Sequence, residues 1–350
     1  MKITEAVGGF FALDVGLDSM RLAQMVGNEQ RGWLLEAFAY MPIDRRITQD
    51  DSEASRINIG EMLVNAVQNS AIKEKKLVVG LPKQKVFTGV VEIAAHEKDT
   101  KTIEKLVKYQ ANQFIPLNVD EVKIDYAVLG PALNDLSKTE VLISAVKETE
   151  AESWINIVER HGFELVALEP SDVAMTRALM PQGIEQLGLI VFMREIDTTI
   201  VMTYKGKPHL FRSIAFGFDG LLTNVAQKLN MQKSEARQLM TSAGFFTDKY
   251  DGQVAKILDE EMTKMISEIM EVANYIILKY PGLQIEELIA GGFLTTIPAI
   301  AKYLQLKLGV AVKLGNPFQR VDLTPQQKAA LESVAGEFTV ACGLAERTNL

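Results

Sequence analysis

The stretch that decides the fold is Phe11-Ala12-Leu13-Asp14-Val15-Gly16-Leu17-Asp18-Ser19-Met20-Arg21-Leu22. An apolar run from Gly9 to Leu13 predicts a buried strand, which leads directly into an acid and a glycine. Gly16 to Ser19 has the composition of a tight turn, and Met20 to Val26 predicts the returning strand of a hairpin. The stretch therefore predicts a buried strand that delivers the carboxylate of Asp14 to a tight turn, a pattern that ordinary hairpins also share.

Composition and charge exclude several classes of protein. The 350 residues allow two or more domains with a large core, and the net charge of -8 argues against a nucleic-acid surface. The single cysteine, Cys342, excludes a disulfide framework, and the three histidines are too far apart in sequence for a zinc site. Since no apolar run approaches the roughly 18 residues that span a bilayer, we expect no direct membrane insertion.

The first half of the chain predicts three strands, a helix and a fourth strand. The third strand is predicted over Gly32 to Ile43, a polar loop over Asp44 to Ser55, a helix over Ile57 to Val67 and a buried strand over Leu77 to Pro82. The next stretch predicts the order strand, helix, strand, strand, helix, strand, with its first helix over Thr100 to Phe114. This order predicts a small α+β module inserted after Pro82.

The second half repeats this plan. It predicts a strand pair over Gly188 to Met193 and Thr198 to Thr203, a long helix over Asp251 to Lys279, a strand over Ile285 to Ala290 and a helix over Ile297 to Leu308. A last helix is predicted over Glu337 to Arg347.

This duplication resembles the bacterial actin-like PilM and FtsA families, and several stretches are similar to the PilM family in particular. They are Asp14-Val15-Gly16 with Leu22; Gln110-Ala111-Asn112-Gln113-Phe114-Ile115-Pro116-Leu117 with Asp125-Tyr126; Glu169-Pro170-Ser171-Asp172; Phe211-Arg212-Ser213-Ile214; Ala290-Gly291-Gly292; Gly315-Asn316-Pro317-Phe318; and Ala341-Cys342-Gly343-Leu344-Ala345. The resemblance implies an α/β, actin-like (ribonuclease H-like) duplicated fold with a small α+β subdomain inserted in the first half.

The same resemblance implies a division of the chain into segments. We expect the first core in residues 1–85, the inserted subdomain in 86–164 and the return of the first core in 165–185. The second core is then expected in 186–232, a helical subdomain in 233–284 and the return of the second core in 285–323. Residues 324–350 are expected to form helices that pack on the first core.

The resemblance also implies a role in type IV pilus assembly. Members of the PilM family bind the cytoplasmic N-terminal tail of a membrane protein, PilN, and so join the motor components of the pilus machine to its periplasmic part. We therefore expect a cytoplasmic scaffold that is peripheral to the inner membrane through this partner. The candidate residues for binding this tail are Pro82, Lys83, Lys85, Val86 and Phe87. Lys83 and Lys85 also fit the charges of a plain solvated loop.

A nucleotide site is the second expectation that the resemblance raises. In actin-like ATPases the first turn faces the phosphates, and the acid before it holds a water of the Mg²⁺ shell. The positions that could keep such a site are Asp14, which is also the candidate metal ligand, with Gly16, Ser19, Arg21, Arg194, Gly291 and Gly292.

Other positions depart from the ATPase pattern. Leu17 and Arg21 stand where the family has a small hydroxyl residue and a lysine, and Asp18 places an acid near the phosphates. Phe192 and Arg194 fall where the second hairpin has Asp and Gly, whereas Arg237 and Met240 replace the acid and lysine that contact adenosine. We therefore expect no hydrolysis and assign no catalytic residue. The sequence leaves open whether the cofactor is ATP or ADP with Mg²⁺, or whether there is none.

Two alternative functions remain at this stage. One is an active actin-like ATPase or nucleotide switch, which the substitutions at Phe192 and Met240 oppose. The other is an FtsA-like division protein. Those proteins carry a C-terminal amphipathic membrane helix, whereas the last helix predicted here has the pattern of a core helix.

Overall fold

The computed structural model describes residues 9–28, 30–94, 99–115 and 118–348. The strands, numbered along the chain, are β1 (Phe11–Val15), β2 (Ser19–Asn28), β3 (Gly32–Pro42), β4 (Lys76–Leu81), β5 (Val86–Ile93), β6 (Val122–Pro131), β7 (Thr139–Lys147), β8 (Glu164–Pro170), β9 (Leu187–Met193), β10 (Thr198–Tyr204), β11 (Lys207–Ile214), β12 (Ile285–Gly292), β13 (Ala311–Leu314) and β14 (Val321–Asp322). The helices are α1 (Arg45–Thr48), α2 (Glu53–Gln68), α3 (Thr100–Phe114), α4 (Glu148–Arg160), α5 (Ser171–Leu179), α6 (Phe218–Lys228), α7 (Lys233–Ala243), α8 (Gln253–Lys279), α9 (Ile300–Leu308), α10 (Pro325–Leu331) and α11 (Thr339–Ala345). Pro116 and Leu117, quoted above for the family resemblance, lie outside the described residues.

The chain forms two units, residues 1–178 with 317–350, and residues 179–316. The sheet of the first unit has the order β14-β3-β2-β1-β4-β8, and that of the second has the order β11-β10-β9-β12-β13. Without β14 the two orders match strand for strand, because each has three antiparallel strands followed by two parallel ones. The predicted duplication is therefore confirmed.

The inserted module follows β4 in the first unit. Its antiparallel sheet has the order β5-β7-β6, and α3 packs on one face through Ile103, Val107 and Ala111. In the second unit, β12 is followed by a 3-10 turn and α9 with no such module between them. The predicted position of the insertion after Pro82 agrees with this order.

The larger sheet of the first unit buries one face against α2 and α4. Phe11 and Leu13 of β1 pack there with Leu63 of α2 and with Trp154 and Val158 of α4. Since α4 contributes to this cluster and not to the module's own cluster, we propose that the core of the module ends with β7. The inserted subdomain predicted from the sequence, residues 86–164, also included α4, which this proposal leaves out.

The other face of this sheet is covered by α11, which contacts β1, β2 and β4 and is buried along its whole length. The backbone approach is close, since a Cβ atom on Gly343 would lie 1.8 Å from the carbonyl oxygen of Ala174. A glycine is therefore required where α11 meets α5.

Two predicted elements differ from the structure. The predicted loop Asp44 to Ser55 contains α1, whose first turn is capped by the Asp44 side chain, and it also contains the start of α2. α1 has no buried residue, so its sequence lacks the helical spacing of apolar residues that would predict a helix. The predicted last helix is a 3-10 turn over Ala335–Phe338 followed by α11.

Candidate functional site

The first hairpin brings Asp14 and Arg21 together. Asp14 and Arg21 are directly opposite each other in the pairing of β1 with β2, and the turn between them is closed by a 2.9 Å bond from the Gly16 amide to the Ser19 carbonyl. Arg21 Nη1 donates to Asp14 Oδ2 at 2.9 Å, and both side chains are buried. The carboxylate predicted to serve a metal is therefore engaged by a guanidinium of its own hairpin.

Glu337, which precedes α11, completes this group. Its Oε2 accepts from Ser19 Oγ at 3.1 Å, from the Tyr40 hydroxyl at 3.1 Å and from Arg21 Nη2 at 3.4 Å. Partial burial, with a further contribution from the Glu337 carboxylate, raises the pKa of Tyr40. The Tyr40 hydroxyl consequently remains protonated and a donor at neutral pH.

Gly16 is explained by this same arrangement. A Cβ atom at this position would lie 2.6 Å from Arg21 Nη1 and 2.9 Å from Nη2. The space over the turn is thus filled by the guanidinium of Arg21.

The second hairpin has the same turn but different side chains. The Arg194 amide donates to the Asp197 carbonyl at 2.8 Å, as Gly16 does to Ser19. Phe192 pairs with Thr199 and with Gly291, as Asp14 pairs with Arg21 and with Gly80. By register, a phenyl ring therefore stands where the first hairpin has its carboxylate.

The side chain of Arg194 folds back on this second hairpin. Its Nη1 lies 3.1 Å from Asp197 Oδ1 and 2.9 Å from Thr199 Oγ1, and its Cζ lies 5.3 Å from the centre of the Phe192 ring. Any contact of Arg194, one of the candidate cofactor residues, with a phosphate would compete with these interactions.

Gly291 and Gly292 end β12, and both are required by packing within the second unit. A Cβ atom on Gly291 would lie 2.8 Å from the Phe192 ring and 2.7 Å from Leu179. Gly292 has a φ of +63°, and its Cβ would lie 2.1 Å from the Met193 carbonyl oxygen. Contacts within the chain explain both glycines without a ligand.

α7 carries the positions predicted to face an adenosine. Arg237 lies over two stacked rings, with its Cζ 5.3 Å from the centre of Phe218 and 5.7 Å from that of Phe293. These rings are 4.7 Å apart and nearly parallel, at 16°. Met240 is fully buried, so it can offer nothing to a ligand. The aromatic faces that could stack on a base already hold a cation.

The fit of a magnesium nucleotide can be judged from these contacts. Mg²⁺ prefers carboxylate and water oxygens in octahedral geometry. Here Asp14 is bound by Arg21, and its counterpart in the second hairpin is Phe192. Among the described residues, no group of three or more His, Cys, Asp or Glu side chains is arranged to hold a metal ion.

The candidate docking residues start the module. Pro82 precedes a 3-10 turn over Lys83–Lys85, Val86 is buried, and Phe87 is half-buried against the core of the module. Lys85 Nζ lies 2.6 Å from Asp51 Oδ1 and 3.7 Å from Glu150 Oε2. Lys85 therefore takes part in ion pairs and is not a freely solvated charge.

A cleft of about 620 Å³ lies beside this turn, between the start of α2 and the end of α4. Asp51 lines it, and Arg160 crosses it to Glu53 at 3.3 Å. His161 lies at its end, where Nδ1 donates to the Ile157 carbonyl at 2.7 Å and the ring packs against Gly60. His161 is the C-cap residue of α4.

Sequence reasoning missed two groups. Glu337 is 316 residues from Arg21, and no local pattern could join them. The Thr88 hydroxyl oxygen in β5 is buried and has no hydrogen-bond partner among the residues that the structure describes. Nothing in the sequence indicates that the hydroxyl of a threonine in a strand will be buried without a hydrogen-bond partner.

The family described as type IV pilus assembly protein PilM matches residues 12–349. The chain belongs to the PilM family. A solved PilM-PilN type IV pilus biogenesis complex is similar to this PilM-family chain with a TM-score of 0.78 and 18% identity, over 96% of this chain and 97% of that one.

Two further solved structures share the fold. Ethanolamine utilization protein EutJ from Carboxydothermus hydrogenoformans has a TM-score of 0.54 and 14% identity, over 99% of this chain and 92% of that one. MreB 5 of Spiroplasma citri bound to AMPPNP has a TM-score of 0.52 and 10% identity, over 96% and 94%. The PilM-family chain therefore has the predicted actin-like fold. Within its described residues, none of the helices combines the length and apolar character needed to cross a bilayer.

Proposed function

We propose that this chain is a scaffold of type IV pilus assembly that docks the extended cytoplasmic tail of a PilN-like membrane protein. The proposal is supported by the family match over residues 12–349 and by the similarity, over 96% of the chain, to the chain of a solved PilM-PilN complex. Through such a tail the protein would be cytoplasmic and peripheral to the inner membrane, next to the motor components of the machine.

The edge of β5 is the proposed docking surface. In the part of the chain that the structure describes, β5 is an edge strand of the module and β8 is an edge strand of the larger sheet, and the two contact each other. Edge strands offer main-chain N–H and C=O groups, and extended peptides bind such edges through them. An added strand at β5 would lie next to the predicted residues Pro82 to Phe87.

Thr88 is the single observation that carries this location. Its buried hydroxyl oxygen has no hydrogen-bond partner among the described residues, a state that costs free energy in a folded protein. A polar side chain opposite Thr88 on a strand added along β5 would supply the missing partner, because directly opposed side chains of neighbouring strands lie on the same face of the sheet.

Lys85 has a supporting role in this proposal. Its ion pairs with Asp51 and Glu150 fix the turn immediately before β5. A strand edge that is fixed beforehand costs less conformational entropy on binding. Lys85 therefore orders the site without contacting the tail.

We also propose that ATP hydrolysis is not part of this role. The carboxylate of Asp14 is bound by Arg21, Phe192 takes the register position of a second carboxylate, and Arg237 of α7 covers the aromatic pair Phe218 and Phe293. These residues do not fit a magnesium nucleotide, because the preorganised charges that stabilise phosphoryl transfer are missing.

The test is binding of a synthetic peptide that corresponds to the cytoplasmic tail of the PilN-like protein of the same genome. Thr88→Val keeps the shape of the side chain and removes the hydroxyl, so we expect it to weaken binding by about fivefold to tenfold, the value of one hydrogen bond. Fluorescence anisotropy of a labelled peptide measures the change.

Lys123→Ala, on the opposite edge strand β6, is the matched control and should leave the affinity unchanged. Melting temperatures of all variants separate lost binding from lost folding. No saturable binding to the wild-type protein would refute the docking function. Equal weakening by Thr88→Val and Lys123→Ala would refute the location at β5.

A further inference from the structure

Arg21 contacts two acidic side chains of the first unit. Arg21 donates to Asp14 at 2.9 Å and to Glu337 at 3.4 Å, and the exposed fractions of these side chains are 5%, 10% and 23%. A guanidinium stays charged at every working pH and binds carboxylates in a fixed planar geometry. Arg21 therefore supplies a permanent positive charge between two acids.

We infer that Arg21 is the built-in cation of the Asp14 site, which takes the place of a divalent metal ion in this chain. A carboxylate as buried as Asp14 must be paired, and the hairpin register itself provides the partner, since Asp14 and Arg21 are directly opposite. The inference rests on the proposed absence of a working nucleotide site and adds a cause for it.

The occupied space supports the same inference. The guanidinium lies over the Gly16 turn so closely that a Cβ atom there would be 2.6 Å from Nη1. A metal ion bound to Asp14 would lie beside this fixed positive charge, and two like charges at such a distance in a poorly solvated site repel strongly. Inner-sphere binding of Mg²⁺ to Asp14 would thus require Arg21 to leave.

The set also ties distant parts of the first unit together. Glu337 accepts from Ser19 and Arg21 of the hairpin and from Tyr40 of β3. Because Glu337 lies in the 3-10 turn that leads into α11, its hydrogen bonds connect the hairpin and β3 to the C-terminal helix.

Mn²⁺ is a suitable probe because its binding can be followed by electron paramagnetic resonance. We expect the wild-type protein and Asp14→Asn to show the same weak Mn²⁺ binding. Arg21→Ala should bind Mn²⁺ about tenfold more tightly or better, because a repelling charge is gone. Arg21→Ala with Asp14→Asn should lose that gain.

Arg21→Gln keeps most of the side-chain volume and replaces Arg21→Ala if the latter does not fold. The inference is overturned if wild-type protein binds Mn²⁺ through Asp14, which Asp14→Asn would reveal, or if a folded neutral Arg21 variant gains no Mn²⁺ affinity. Titration of the wild-type protein with ATP in EDTA keeps the two proposals distinct. Metal-free ATP binding would contradict the proposed absence of a working nucleotide site and leave the role of Arg21 intact.

Discussion

Glu169, at the end of β8, is a buried carboxylate held by two arginines. Its Oε1 accepts from Arg177 Nη2 at 2.6 Å and its Oε2 from Arg347 Nη1 at 2.7 Å, and only 3% of the residue is exposed. Arg347 follows α11, so this pair connects the last residues of the first unit to its larger sheet. Removing one member of a buried ion group leaves uncompensated charge behind.

Glu169→Ala should therefore lower the free energy of unfolding by about 3 kcal/mol or more. The exposed pair of Glu104 with Lys108, one helical turn apart at 3.1 Å, provides the comparison. Lys108→Ala should cost about 0.5 kcal/mol or less. Chemical denaturation followed by circular dichroism measures both, and an equal loss in the two variants would contradict the importance assigned to Glu169.

Some of this residue-level chemistry can be predicted from the sequence. A turn over Gly16 to Ser19 sets the hairpin register, which places Arg21 opposite Asp14. Glu337 and Arg347 could not be predicted as partners of the first half, because the folded chain alone brings them there. The sequence analysis singled out Asp14 and Arg21 as candidates for a nucleotide site, but it did not predict that they bind each other or that Glu337 joins them.

At the scale of elements, α2 and α4 approach each other where Gly60 meets His161. A Cβ atom on Gly60 would lie 2.1 Å from Cε1 of the His161 ring, whose Nδ1 is already fixed by the Ile157 carbonyl. The ring can move away only by giving up this bond. The absence of a side chain at Gly60 thus sets how closely the two helices pack.

Gly60→Ala should destabilise the protein by about 1–3 kcal/mol through this overlap. Gly220→Ala in α6 is the matched control, because nothing lies within 4 Å of its Cβ position and alanine is the better helix former. It should stabilise by about 0.5–1 kcal/mol. If the overlap is the cause, Gly60→Ala in a His161→Ala background should be neutral or stabilising, and persistent destabilisation there would contradict it.

Elements with strong periodicity were predicted well, and those without it were not. α3 has its predicted bounds, Thr100–Phe114, because its buried side chains recur at helical spacing between clear ends. α1 was missed because it buries nothing. The predicted closing helix was wrong over Glu337 and Phe338, where hydrogen bonds to Glu337 accompany a tighter turn.

At the scale of the molecule, the two units differ in how the chain builds them. The second unit is continuous, from Leu179 to Asn316, whereas the first consists of residues 1–178 and 317–350. The first unit depends on its second piece, because α11 covers a face of the larger sheet and β14 pairs with β3. The two units share one strand order, but only the first needs a segment that is distant in sequence to complete its sheet and core.

A fragment of residues 179–316 should consequently fold alone, with cooperative thermal unfolding. Residues 1–178 alone should leave the α11 face of the sheet exposed and bind the dye ANS, as loosely packed states do. Adding residues 317–350 as a separate chain should reduce ANS binding. Circular dichroism and ANS fluorescence of the two fragments give the answer, and a cooperatively folded, ANS-silent 1–178 fragment would contradict it.

α11 also affects the order of events during biosynthesis. On the ribosome, residues 179–316 are synthesised before residues 339–345. The second unit can therefore fold before α11, which covers one face of the larger sheet of the first unit, has been made. Multidomain chains usually fold from the N-terminus onward, and here we expect the reverse. Until translation ends, the nascent first unit would present a bare apolar face to chaperones.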